Sequence, residues 1–244
     1  MFVGFGTVLN IVAIVAGGAI GVALGSKFKN ELKELITQVL GCVTVISAAD
    51  AIAAYWNDDL VNALPAGATM LVLIFSLLLG ALIGSLLRIE DRLDRFGNSL
   101  QSRFSSKGES NFVEGFVSAS LIFAIGPLAI LGSISDGMQT GVDQLVLKST
   151  LDFFAAMAFA ATLGWGVAVS ALPVGVYQFA WTGVGLFLGS ILADYQILAM
   201  TAVGGVLLFG IALRLLKLKQ IAVGNLLPAI AIAPVLALIA HSFI

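Results

Sequence analysis

Lys148 and Asp152 stand four residues apart in a chain whose segment from Ser149 to Ala193 holds no charge other than Asp152. At that spacing two side chains share a helix face and can pair. An ionisable group at the centre of an apolar helix costs about 2.5 to 3.5 kcal/mol on insertion scales, so each one needs a reason. Two reasons stay open. The pair either fixes its helix against neighbours, or it works: Lys148 binding a substrate anion, or Asp152 carrying a proton or cation that is released when the lysine pairs with it. A lysine in the first helical turn opposes the macrodipole, and lysine before aspartate is the less favourable order. Something besides helix stability is therefore expected to hold Lys148.

Other polar residues sit inside apolar runs. Glu114 follows Asn111 at capping-box spacing, and with Ser118 one turn on it can line an entrance to the helix break expected at Gly126-Pro127. Asp50 belongs at a solvated helix edge, and Asp136-Gly137 after Ser135 reads as a turn. Asn10, Gln38, Ser118, Ser120, Gln178 and Asn225 either bond across helices, for roughly 0.6 to 2 kcal/mol each, or line a polar path. Asn225, just before Pro228, and then Pro234 mark a kinked helix whose freed carbonyls suit a cation.

With one cysteine, Cys42, and one histidine, His241, neither an internal disulfide nor a Cys/His metal cluster is expected. No Gly-x-Ser-x-Gly elbow, His-Glu-x-x-His pair or phosphate-cradling loop is present. No enzymatic activity and no cofactor are expected.

The elements that must position these residues follow from composition. Of 244 residues 59% are hydrophobic and 11% charged, which excludes a soluble enzyme, a disordered tail and a nucleic-acid binder. Apolar stretches run over about 7–26, 35–55, 66–87, 112–133, 149–171, 173–193, 196–213 and 221–243, each near the roughly 20 residues that span a hydrocarbon core. The expected fold is all-α, a polytopic bundle of about eight spans in the lipid bilayer. A tight turn is expected at Ala171-Leu172-Pro173. Lys27, Lys29 and Lys33 follow the first stretch rather than precede it, so that stretch is expected to stay in the mature protein. Eleven of the twelve Lys and Arg fall in odd-numbered connections, so both termini are expected outside. Ile89, Leu93, Phe96, Leu100 and Phe104 recur every three or four residues, the pattern of an amphipathic surface helix over 88–105.

The chain also shows a weak self-similarity. Residues 5–26 align with 112–133 at an offset of 107, both ending in Leu-Gly-Ser, and Gly80-xxx-Gly84-Ser85 answers Gly185-xxx-Gly189-Ser190 at 105. Three spans separate the copies, so the second triplet is expected to be inverted. The division is 1–105 for the first triplet, 112–193 for the second, and 194–244 for two added helices. Gly17-Gly18 and Gly126-Pro127 fall at nearly matching positions as helix breakers. Gly17, Gly21 and Gly25 also form a small-xxx-small ladder suited to close helix packing, either within the chain or in a homo-oligomer.

Five blocks carry a family likeness: GTVLNIVAIVAGGAIG (6–21), LGALIGSLLRIEDRLDRFG (79–97), FVEGFVSASLIFAIGPLAILGSISDG (112–137), KSTLD (148–152) and VGNLLP (223–228). Across nearly its whole length the chain resembles the YqgA/YdfK-like bacterial integral membrane proteins, long labelled a domain of unknown function. The resemblance implies a bacterial inner-membrane protein and transfers no catalytic role. Inverted repeats with matched breakers are a construction of secondary transporters. The functional expectation is thus a transporter or solute-conducting protein for a small polar or anionic solute, driven by proton or sodium, with its site between broken helices 1 and 4. A membrane scaffold or an oligomeric channel is the alternative.

Overall fold

The computed structural model describes residues 2–92, 95, 111–124, 127–188 and 192–243. Every regular element among them is helical. In chain order the α-helices are α1 (Phe5–Gly25), α2 (Asn30–Ala53), the one-turn α3 (Asp58–Val61), α4 (Ala68–Leu86), α5 (Phe112–Ala124), α6 (Pro127–Gly137), α7 (Asp143–Leu163), α8 (Trp165–Val169), α9 (Ala171–Leu188), α10 (Asp194–Leu215) and α11 (Pro228–His241), with short 3-10 helices at Ala54–Trp56 and Val223–Leu226. Among the described residues seven helical segments are long and apolar enough to cross a membrane, or eight if the bent pair α5 and α6 is one span. Most of the expected surface helix 88–105 lies outside the described residues, and so does Gly126.

Contacts group the chain into two units, residues 1–40 with 94–191 and residues 41–93 with 192–244. The division falls inside α2. It also separates α1 from α4, the first and third helices of the first sequence triplet.

In the first unit α1 lies along α7. A Cβ added to Gly17, Gly21 or Gly25 would overlap the carbonyl oxygen of Phe153, Met157 or Ala161 respectively. Equal steps of four on both helices mean that they run parallel, and the missing side chains bring backbone against backbone. The packing of α9 on α1 runs the other way, with Gly175 on Ile11 and Thr182 beside Thr7. Gly137 of α6 meets the Thr182 carbonyl while Gly185 of α9 meets that of Ile134, so these two helices are antiparallel.

In the second unit α4 and α11 are antiparallel. Gly80 lies against Ala229, and Gly84 lies against the carbonyl oxygen of Asn225. Gly205 of α10 packs on Ala48 and Ile52 of α2.

Three expectations are corrected. Helix 1 is not broken: α1 runs unbroken through Gly17-Gly18, because a glycine keeps its N–H and its in-helix cost of about 1 kcal/mol is offset by contact with α7. The chain turns at Gly164 rather than at Ala171-Leu172-Pro173. Gly164 has φ 75° and ψ −159°, a conformation essentially reserved for glycine, whereas Pro173 sits in the first turn of α9, where no N–H is needed. Finally, the glycine ladder of α1 is filled by α7 of the same chain, which leaves it unavailable to a second copy.

The expected break in helix 4 is present, with α5 and the helix beginning at Leu128 bent by 64°. Pro127 opens α6, at the helix start where proline is tolerated.

Candidate functional site

Three helices of the first unit each bring a pair of polar residues, three or four apart, to one level. Thr7 and Asn10 come from the start of α1, Lys148 and Asp152 from α7, and Gln178 and Thr182 from α9. Asn10 and Lys148 are each five residues past the first residue of their helix, about 7.5 Å of rise, and the parallel course of α1 and α7 sets them level. All six residues are buried, with Thr7, Asn10 and Gln178 wholly inaccessible.

Lys148 Nζ donates to Asp152 Oδ2 at 2.7 Å, and the Asn10 side chain lies beside the same carboxylate. Asn10 Nδ2 donates to Gln178 Oε1 at 3.2 Å, and the Thr7 and Thr182 hydroxyls are 3.2 Å apart. Thr182 Oγ1 also donates to the Gln178 carbonyl. Two atoms are left over: Asn10 Oδ1 and Gln178 Nε2 are buried and make no hydrogen bond. Buried polar groups without partners cost about 1 to 3 kcal/mol, so a hydrogen-bonding group brought in from outside the protein would relieve a cost at these two atoms. One turn beyond Asn10, Ile14 is wholly buried, and a turn further Gly17 meets the carbonyl of Phe153, next to Asp152, so apolar contacts close the layer on that side.

Lys148 lies deeper than the sequence suggested. Because α7 starts at Asp143, Lys148 is past the first turn and the macrodipole no longer opposes it strongly.

Of the residues singled out from sequence, Lys148, Asp152, Asn10 and Gln178 meet. Glu114 does not join them. It is half-buried on α5, and its neighbour Gly115 packs on Leu163 and Val167, so it lies about 16 Å of helix rise from Asp152. Ser118 is buried on the same helix. Asn225 is in the second unit, where its Oδ1 accepts from the backbone N–H of Glu90 at 3.0 Å.

Sequence reasoning missed three features. Thr7 and Thr182 complete the layer, and their spacing from Asn10 and Gln178 was the available signal. Asp136 is not a solvated turn residue: it is 3% exposed and its Oδ2 accepts from Gly6 N–H at 3.0 Å, which places a carboxylate at the positive end of α1. In the second unit Arg214 donates to Glu90 at 2.8 Å, and the other Glu90 oxygen accepts from Gly224 N–H.

The side chains facing outward settle the class. On α4 the buried residues are Thr69, Val72, Ser76, Gly80 and Gly84, while Leu71, Phe75, Leu78 and Leu82 are exposed. On α1 the buried residues are glycines, Thr7, Asn10 and Ile14, while Val12 and Val15 are exposed. Large apolar groups outside with small and polar groups inside are the arrangement suited to lipid; this is a polytopic helical membrane protein.

The chain belongs to the family described as "Protein of unknown function (DUF554)", which it matches over residues 5–238. It is 32% identical over 243 residues to the uncharacterized membrane protein YdfK of Bacillus subtilis (strain 168), covering 98% of each chain. It is 29% identical over 237 residues to the uncharacterized protein YqgA of Escherichia coli (strain K12), covering 93% of this chain and 94% of that one. No solved structure matches the chain.

Proposed function

We propose that the polar layer of α1, α7 and α9 is a solute site, and that the protein conducts or transports a small polar solute across the bacterial inner membrane. The observation that carries this reading is the pair of unbonded amide atoms, Asn10 Oδ1 and Gln178 Nε2, beside a buried Lys148–Asp152 ion pair. Hydrogen-bonding groups kept unpaired at that depth have their use when a solute supplies the partners. The positive-inside distribution supports an orientation with both termini outside, in which the layer lies in the outer half of the membrane. Below the layer the interdigitated backbones of α1 and α7 form a rigid wall. The bent pair α5 and α6 adjoins the layer through Asp136 on Gly6 and Gly137 on Thr182, so a change in that bend reaches the site directly. This differs from a site between two broken helices, since of helices 1 and 4 the first is continuous.

Purified protein in liposomes, offered small anions, amino acids and small neutral solutes with and without proton or sodium gradients, tests the reading. At least one solute is expected to cross faster than in protein-free vesicles, and Lys148→Ala and Asp152→Asn are expected to slow that flux while the protein stays folded. Flat traces across the whole panel would refute it.

A further inference from the structure

The charges and amides of the layer together narrow the class of solute, and this step rests on the reading just given. Lys148 and Asp152 are 6% exposed each and bonded to one another, so the layer contains one positive and one negative charge that cancel. The other buried carboxylate nearby, Asp136, is engaged with the N–H of Gly6 at the positive end of α1. Asp143, in the first turn of α7, faces solvent. An ion entering the layer would therefore lose its hydration and meet no uncompensated opposite charge.

Asn10 and Gln178 supply the selective element. With Asn10 Nδ2 bonded to Gln178 Oε1, one acceptor, Asn10 Oδ1, and one donor, Gln178 Nε2, stay free. Rotating both amides by 180° interchanges their oxygen and nitrogen atoms and again leaves one donor and one acceptor. The complement of such a pair is a group that itself offers one donor and one acceptor on neighbouring atoms.

We infer that the layer selects uncharged solutes carrying a carboxamide- or urea-type group, and discriminates against anions and cations of the same size. Urea, nitrate and guanidinium are three planar solutes of four heavy atoms with charges of zero, minus one and plus one, so they separate charge from shape.

The test is flux of each through reconstituted full-length protein, with the membrane potential clamped by potassium and valinomycin. Urea is expected to cross at least about tenfold faster than nitrate or guanidinium, relative to protein-free vesicles, as the cost of burying a charge requires. Asn10→Leu should bring urea flux to the protein-free level. Charge-uncovering variants guard against mere misfolding, because they should gain a flux. Asp152→Asn leaves Lys148 uncompensated and should raise nitrate over urea, and Lys148→Met should do the same for guanidinium. Nitrate or guanidinium crossing the wild-type protein as fast as urea would overturn the inference while leaving the conducting role intact. So would silence toward all three when another solute of the wider panel crosses. Silence toward every solute would remove both.

Discussion

At the residue scale the layer is a set of paired commitments, and single substitutions separate its packing from its chemistry. Asp136 holds the start of α1 through Gly6 N–H. Asp136→Ala removes an N-terminal acceptor of the kind worth about 1 kcal/mol, so a fall in Tm of the detergent-solubilised protein is expected. Loss of Tm equal to that of an exposed control such as Val15→Ala would speak against the contact. The Glu90–Arg214 pair is more costly to halve, because Glu90 also accepts from Gly224 N–H, and Arg214 Nε is buried without a partner. Glu90→Ala should destabilise by about 3 kcal/mol or more, since it leaves a part-buried guanidinium uncompensated. An unchanged unfolding midpoint would show the pair to be ornamental.

The helices themselves explain what was legible in the sequence and what was not. Their number and apolar length could be read from composition, because about 20 apolar residues have few other uses. The layer was half legible: Lys148 and Asp152 are conspicuous as charges and Asn10 and Gln178 as amides, but Thr7 and Thr182 pass for ordinary threonines until α1 and α9 are seen side by side. Asp136-Gly137 has the composition of a turn, and only the approach of α1 shows it to be the end of a helix. Glycine was ambiguous in the same way. Gly17-Gly18 has the composition of a break and the structure of a contact, because α7 is close enough to use the space. Gly21→Val is accordingly expected to cost more than the roughly 1 to 3 kcal/mol of ordinary overpacking, since the atom it meets is backbone of Met157 and cannot rotate away. Thermal unfolding in detergent reads this, and a neutral result would contradict the parallel packing of α1 on α7. Gly164→Ala places a Cβ at φ 75° and ψ −159° and should cost about 1 to 3 kcal/mol through strain. A wild-type midpoint would mean that the chain reverses elsewhere.

For the molecule as a whole, the weak similarity in sequence and the grouping in space are different divisions. Residues 5–26 and 112–133 are weakly similar in sequence, yet the first of them is integrated with α7 and α9 of the second half, while α4 belongs with α10 and α11. Each unit thus draws helices from both halves of the chain. The polar layer is a product of that arrangement, for α1 supplies Thr7 and Asn10 to helices encoded more than a hundred residues later.

A conducting layer must meet solute and water, unlike the packed wall beneath it. The most direct measurement places single cysteines at Thr7, Asn10, Gln178 and Thr182, and for comparison at Ile14, Gly17 and Gly21, in a Cys42→Ser background. Each is probed from either side of sealed vesicles with a hydrophilic thiol reagent. Modification is expected at the first four positions from one side only, and none at the last three; uniform inertness of all seven would mean that the layer is closed packing.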